Sequence, residues 1–372
     1  MQTTLRTSPL DNLHRHHGGT MIPFAGYQLP VHFPLGVLGE HKHTRKKTGL
    51  FDVSHMGQLL VKGKGAVKTL EKLVCSDIKN LREGQVKYTV LTNETGGIID
   101  DLMISKINDA FFLVVNAACK TLYEPLLQLK MEGDVSIKSI KNNALIALQG
   151  PHAQTVLGRL STRISDMGFM TIINVTIAET PCIISRTGYT GEDGYEISAS
   201  HNSLEKIAKT ILNEDEVEFC GLGARDSLRL EAGLCLYGKD IDRTTTPIEA
   251  NLAWVIGDRR IKDKTFPGAQ KIIQQMKDGP KKKRVGIIPM GRTIPREGTK
   301  ITDAHNTVIG EVTSGGFGPS LNGPLAMGYV VSDFAKLGTQ VGLIIRGKEL
   351  KAKVVDLPFV PHKYFKRSKN ED

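Results

Sequence analysis

Two adjacent carboxylates, Asp100 and Asp101, are the residues best placed in this sequence to do chemistry. They follow Asn93-Glu94-Thr95-Gly96-Gly97-Ile98-Ile99 and lead into the apolar run Leu102-Met103-Ile104. Alternation along a strand sends neighbouring side chains to opposite faces, so one of the two must face the interior or a pocket. A buried carboxylate is costly unless something pairs with it or uses it. A positioned one serves as a general acid or base. The plainer reading is a turn aspartate bonded to backbone amides. Two further groups stand out. Arg225 and Arg229 lie one helical turn apart and share a face. Beside carboxylates they form either a structural ion-pair network or a fork of donors that orients a planar polar ligand. Thr187 to Ile197 carries glycines at 188, 191 and 194, a tight loop whose backbone can approach a ligand closely. Beyond it Tyr195, Ile197 and Ala199 face one way, and Glu196 and Ser198 the other.

The elements that must hold these groups are legible from periodicity. Val86 to Leu91 reads as a strand, and Asn93 with the Gly96-Gly97 pair supplies a hairpin turn into the Asp100-Asp101 strand. Phe111 to Val115 is a third strand, ending at Asn116. A helix over Lys120 to Met131 follows, with Leu122, Leu126, Leu127 and Leu129 as its apolar stripe. Gly63-Lys64-Gly65, between a strand at 58–61 and a helix at 67–74, lacks the third glycine of a dinucleotide fingerprint and reads as an ordinary turn. Strands are expected at 135–140, 144–148, 172–177 and 182–185. A helix carries Leu204, Ile207, Ala208, Ile211 and Leu212 at full helical spacing. Strand–helix–strand thus occurs twice between 86 and 212. Residues 5–34 show no periodicity and read as irregular. Asp278 to Arg284, with its four consecutive cations, reads as a basic linker, and the short strand-like runs after it as a small β-barrel or sandwich.

Composition bounds the alternatives. The chain has 372 residues, enough for two or three domains. No apolar run approaches a membrane span. The net charge of +10 favours acidic partners without choosing among them. Lys281 to Arg284 lacks interleaved aromatics, which argues against an RNA platform. Five cysteines without a CxxC pair point to reduced thiols rather than a zinc site. His14, His16, His17, His41 and His43 lack carboxylate or thiol support for a metal, so none is expected. Met1 to Leu10 have no secretory apolar core and are compatible with the end of a mitochondrial presequence. The charged tail after Phe365 is expected to be mobile.

Seven segments occur in an order that resembles the aminomethyltransferase, or T-protein, family of the glycine cleavage system: Phe51-Asp52-Val53-Ser54-His55-Met56, Gly96 to Asp101, Ala147-Leu148-Gln149-Gly150-Pro151, Gly188 to Gly194, Ala224 to Gly233, Val312-Thr313-Ser314-Gly315 and Pro361-His362-Lys363-Tyr364. The likeness runs from about Leu10 to Phe365. It implies an α+β fold, a three-domain cloverleaf of two interleaved folate-binding subdomains and a C-terminal β-barrel. The expected division is 1–277, made of about 1–54 with 141–232 and 55–140 with 233–277, followed by 285–372. Relatives fused to a flavin domain are excluded by the lack of a GxGxxG-led unit. The alternative reading is a non-catalytic folate-binding scaffold of the iron–sulfur assembly type; the absence of that group's Lys-Gly-Cys signature and the presence of Asp101 argue against it.

The resemblance further implies tetrahydrofolate as the acceptor, the lipoylated H-protein as partner, a monomer, and residence in the mitochondrial matrix, or the cytoplasm of a bacterium. Neither nucleic acid nor membrane is implied as a partner. By position Asp101 matches the catalytic carboxylate, with Asp100 the second choice. Glu196 and Arg225 match a pterin-binding pair, and Tyr364 a ligand-contacting tyrosine. Tyr88, Asn116, Tyr189, Met56 and Trp254 are carried over as pocket lining. Trp254, the sole tryptophan, has a core anchor as its competing reading.

Overall fold

The computed structural model describes residues 5–366, so the tail beyond Lys366 and the first four residues of the presequence-like segment lie outside the described part. The first surprise is the N-terminal segment. It is not irregular: β1 (Arg6–Thr7), α1 (Asp11–His16), β2 (Thr20–Phe24) and β3 (Tyr27–His32) form a small sheet ordered β1-β3-β2. Pro23 and Pro30 lie inside its strands and hid them, because proline breaks a ladder except at edges and bulges. α2 (Gly36–Lys46) and β4 (Thr48–Asp52) follow, and the turn 53–56 then carries the chain into a second sheet.

That second sheet has the order β6-β7-β8-β5-β9, from β5 (Gly57–Lys62), β6 (Val86–Thr92), β7 (Ile98–Ile107), β8 (Ala110–Val115) and β9 (Ser136–Ser139). α3 (Ala66–Glu71) and α4 (Lys120–Lys130) cover one face, where Leu59, Val61, Leu70, Leu102, Leu113 and Tyr123 share a core. The chain returns to the first sheet through β10 (Asn143–Gln149), α5 (Ala153–Leu160), β11 (Ile172–Ile177), β12 (Thr180–Ser185), β13 (Gly194–Ser200), α6 (His201–Leu212) and β14 (Val217–Cys220). The resulting order is β11-β12-β13-β10-β4-β14. Tyr195, Ile197 and Ala199 enter the core beneath α5 and α6, as their alternation requires. The two sheets pack on each other through Phe51, Val53, Phe112, Val114, Leu145 and Ala147. α7 (Leu222–Glu231) lends Ala224 and Leu228 to that shared core.

After α7 the segment that includes α8 (Asp258–Asp263) and α9 (Ala269–Asp278) packs Ile241, Ile248, Phe266 and Ile272 against Val90 and Ile98 of the hairpin. The chain ends in a closed barrel, β15-β18-β17-β16-β19-β20, built from β15 (Lys282–Pro289), β16 (Lys300–Thr302), β17 (Val308–Gly318), β18 (Gly323–Val331), β19 (Gln340–Ile345) and β20 (Lys348–Val355). The expected α+β fold with a C-terminal β-barrel is borne out.

Two expectations fail for physical reasons. The basic run is not a linker: Lys282 already belongs to β15, and Arg284 is buried and donates to the carbonyls of Ala250 and Gly233. Only Gly279, Pro280 and Lys281 connect α9 to the barrel. The stripe on α4 is also wrong. Tyr123 and Leu127 are its buried residues, whereas Leu122 and Leu129 are exposed. Tyr123 was passed over because counting aliphatic side chains ignores a tyrosine whose hydroxyl has a partner inside.

Candidate active site

The Asp100-Asp101 strand is fixed by its turn. Asn93 Oδ1 accepts from the backbone N–H of Thr95 at 2.9 Å and of Gly97 at 2.8 Å. Its Nδ2 donates to Arg243 O at 3.0 Å, which holds the hairpin against the chain after α7. A Cβ on Gly97 would lie 1.8 Å from that carbonyl, so only glycine fits. In this register Val90 faces Asp101, and Leu102 faces Val115. Tyr88, two residues before Val90, and Asn116, one past Val115, are thereby brought beside Asp101.

The hydrogen bonds follow from that register. Tyr88 Oη donates to Asp101 Oδ2 at 3.0 Å. Asn116 Nδ2 lies 2.7 Å from Asp101 Oδ1 and 2.9 Å from Asp100 Oδ1. Asp100 is fully buried and accepts from Tyr123 Oη at 2.8 Å. Asp101 is part-buried. Burial, and then the charge of Asp100, push the carboxyl of Asp101 up to about 7. Burial raises Asp100 as well, and raises the Tyr88 hydroxyl, so that tyrosine stays a neutral donor.

The other side of the site comes from the six-stranded sheet and α7. The glycine loop joins β12 to β13 over the side chain of Gln149, whose Nε2 donates to Thr187 O at 3.0 Å and whose Oε1 accepts from Thr190 at 2.9 Å. A Cβ on Gly188 would collide with Gln149 at 1.8 Å. The loop presents Tyr189, whose hydroxyl donates to Cys235 O and whose ring carries the Arg225 guanidinium 4.7 Å from its centroid. Glu196 Oε2 accepts from Thr187 Oγ1 at 2.6 Å. Burial lowers Arg225, and the charge of Glu196 opposes that. The Arg225 side chain makes no hydrogen bond or ion pair among the described residues; its contact is the Tyr189 ring. Arg229 does the opposite: it is buried and bound to Asp226, Asp240 and Ser314 Oγ, tying α7 to the barrel. The two arginines therefore divide the alternatives, Arg229 being structural and Arg225 free to bind. Burial raises the Tyr189 hydroxyl, and the charges of Arg229, Asp101 and Arg225 all act on it.

The remaining residues are distributed as follows. Trp254 is 67% exposed, so it is no core anchor, and it stacks on Tyr88 with centroids 5.6 Å apart. Met56 packs at the margin of the core between the sheets. Tyr364 stacks on Phe169 at 4.0 Å and tilts against His362, and among the described residues its ring partners do not include Tyr88, Tyr189 or Arg225. Burial pushes its hydroxyl up to about 12. The adjacent Lys363 ties the C-terminal segment to Glu192 of the glycine loop at 3.0 Å.

His55 was quoted in a motif but given no role. It is buried with Nδ1 unpartnered, and burial, then Arg225, push it down to about 3, so it is a neutral imidazole. The other histidines serve structure: His14 binds Asp52 at 2.8 Å and His41 binds Glu231 at 3.0 Å. No group of three or more His, Cys, Asp or Glu among the described residues could hold a metal ion. All five cysteines are free and buried.

A carboxyl raised to about 7 and a guanidinium without a side-chain partner, both acting on Tyr189, are groups that a transfer enzyme for a planar, polar substrate would use. The comparisons identify which. Residues 10–259 match the GCVT N-terminal domain and residues 282–361 the glycine cleavage T-protein C-terminal barrel domain. The mitochondrial aminomethyltransferase of Dictyostelium discoideum is 45% identical over 97% of this chain and 94% of its own. That of Solanum tuberosum is 44% identical over 97% of this chain and 91% of its own. The crystal structure of glycine cleavage system aminomethyltransferase T from Bartonella henselae superposes with a TM-score of 0.92 at 41% identity, covering 97% of this chain and all of that one. The chain belongs to the glycine cleavage T-protein family.

Proposed function

We propose that Asp101 is the acid–base group of an aminomethyl transfer to tetrahydrofolate, and that Glu196 and Arg225 grip the pterin. The activity follows from the family: the chain is an aminomethyltransferase of glycine cleavage. In that reaction the methylene carbon of an aminomethyl group on the lipoyl arm of H-protein passes to tetrahydrofolate. Its bonds to sulfur and to the amine nitrogen break, and bonds to N5 and N10 of the folate form. The two protons shed by those nitrogens end on the sulfur and on the departing ammonia, so no external oxidant or reductant is needed. Products are ammonia, 5,10-methylenetetrahydrofolate and the dihydrolipoyl arm.

The observation that supports the residue assignment is a titratable, half-buried Asp101 and an Arg225 without a side-chain partner, both acting on Tyr189. Tetrahydrofolate fits the groups present. The donor-rich aminopyrimidine edge suits the Glu196 carboxylate, the carbonyl side suits Arg225, and Tyr189 supplies an aromatic plate. A carboxylate that titrates near neutrality gives a proton to the leaving amine and regains one from a folate nitrogen, returning to its starting state. Tyr88 and Asn116 fix its orientation. His55, Met56 and Trp254 complete the walls in this reading, and Tyr364 would reach the ligand from the C-terminal segment stacked on Phe169. The mitochondrial names of the relatives support residence in the matrix; the family implies the H-protein as partner, and the reading takes its lipoylated form and a monomeric chain.

The test is direct. Incubation with tetrahydrofolate and aminomethylated H-protein should release ammonia and methylenetetrahydrofolate in equal amounts, and Asp101→Asn should abolish both while folate still binds. A folate-binding scaffold would bind without either product. Normal turnover in Asp101→Asn would move the acid–base role elsewhere.

A further inference from the structure

The geometry points to Asp100 as a positioning residue: with Asp101 it forms one proton-holding unit, in which Asp100, anchored by Tyr123 and Asn116, stays the anion and keeps the transferable proton on Asp101. This inference rests on the acid–base role proposed for Asp101.

Adjacent residues of a strand normally point apart. Here both carboxylates reach one amide, because Asn116 lies just past the end of β8, where its Nδ2 can meet both residues. The two Oδ1 atoms are therefore no farther apart than the sum of their distances to that nitrogen. Two carboxylates so close in a buried setting resist double ionisation and titrate as a pair. No cation neutralises either one: Asp100 and Asp101 form no ion pair among the described residues. Tyr88, Tyr189 and Cys235 face Asp101, and burial keeps all three protonated at neutral pH. Tyr123, Cys119 and Tyr237 face Asp100 and are likewise protonated. Arg243 lies on that side near Cys119 and Tyr237, and bonds neither carboxylate.

The pair is asymmetric. Asp100 is completely enclosed beneath α4, with Tyr123 Oη at 2.8 Å and Asn116 Nδ2 at 2.9 Å. Cys119 adds a further weak donor. Asp100 cannot touch a substrate, so it acts only through its charge and through Asn116. Asp101, part-buried and on the side of Tyr88 and Tyr189, is the member that can exchange a proton with a ligand. The burial of Tyr123, which displaces a leucine from the core face of α4, is explained by this anchoring.

The test uses the intact enzyme and the pH dependence of kcat and of the Michaelis constant for folate. Asp100→Asn removes the charge that raises Asp101, so the kinetic limb expected near about 7 should move to lower pH by about one unit or more, with the folate constant within about twofold of the parent. Tyr123→Phe removes one donor from the Asp100 anion and moves the proton towards Asp100. It should lower the kcat plateau and shift the limb slightly to higher pH, the opposite sense to Asp100→Asn, and it keeps the proposal testable if Asp100→Asn folds poorly. A merely structural Asp100 would lower thermal stability and leave the limb in place. If Asp101→Asn is inactive while a folded Asp100→Asn or Tyr123→Phe keeps the parent profile, the paired unit is wrong and the role of Asp101 stands. If Asp101→Asn turns over normally, the reading of Asp101 itself falls.

Discussion

Replacing Asp101 by Asn should cripple the enzyme and stabilise it at alkaline pH, with the stabilisation vanishing in acid. The folded protein raises this carboxyl from 3.8 to about 7. Each pH unit between the two values corresponds to about 1.4 kcal/mol. The ionised side chain therefore costs the fold up to about 4 kcal/mol above neutrality. The sign follows from proton counting. Between 3.8 and about 7 the native state holds a proton that the unfolded chain has lost, so stability falls as pH rises through that window and stays low above it. Asn carries no such cost. It keeps an acceptor for Tyr88, but its own NH2 and that of Asn116 then compete, leaving one donor unsatisfied at about 1–3 kcal/mol. The net gain near pH 8 is thus about 1–3 kcal/mol, and near pH 5 it is about zero or negative. Turnover should fall by on the order of 10²-fold or more, since a positioned acid–base group typically contributes that much. Thermal melts of both proteins across pH, beside turnover with aminomethylated H-protein, provide the assay. A variant less stable than the parent at alkaline pH would refute the reasoning about burial, and near-normal turnover would refute the catalytic assignment.

Other consequences are as testable. Glu196→Gln and Arg225→Gln should each weaken folate binding by roughly 1.5–3 kcal/mol in calorimetry, and unchanged affinity in both would dismiss the pterin grip. Arg225→Gln should raise the thermal midpoint of the ligand-free enzyme slightly, since it removes a guanidinium with no side-chain partner, whereas Arg229→Gln should cost about 3–5 kcal/mol, because it takes away the cation paired with the buried Asp240. Arg284→Met should destabilise the protein by about 3 kcal/mol in denaturant titrations through the lost bonds to Ala250 and Gly233, while Lys283→Met changes little. The net charge of +10 should steer an acidic H-protein, so its Michaelis constant should rise steeply with salt while folate affinity holds; a flat salt response would assign the charge to composition alone.

The sequence was most informative where one residue type has one job. Gly96-Gly97 with Asn93 marked the hairpin because close backbone approach leaves no alternative to glycine, and the carbonyl of Arg243 proves to be the approaching group. Barrel strands were found from alternation and turn residues, except the three-residue β16, too short to show a period. Errors arose where a polar side chain does a core residue's work. Arg284 was read as solvated because three lysines precede it, yet its guanidinium is enclosed by carbonyls. Tyr123 was read past because its partner, Asp100, lies 23 positions away.

The same limit governs the site. Arg225 and Arg229 are indistinguishable by spacing, and both stand beside carboxylates in the chain. What separates them is a residue met later, Asp240, which claims Arg229 together with Ser314 of the barrel and leaves Arg225 over Tyr189 without a partner. A half-buried guanidinium with no charged partner gives up hydration that nothing in the empty fold replaces. Its retention beside Glu196 is accounted for if a ligand completes the missing bonds. Asp101 tells the same story with the opposite charge: a carboxyl raised to about 7 is a stability cost that an acid–base task requires. Asp101 comes from β7 and Arg225 from α7, and both act on Tyr189, so in the proposed reading a substrate that repays both costs would lie beside that tyrosine. A planar pterin gripped at one end, with its reactive nitrogens beside a proton-bearing carboxyl at the other, satisfies both demands at once.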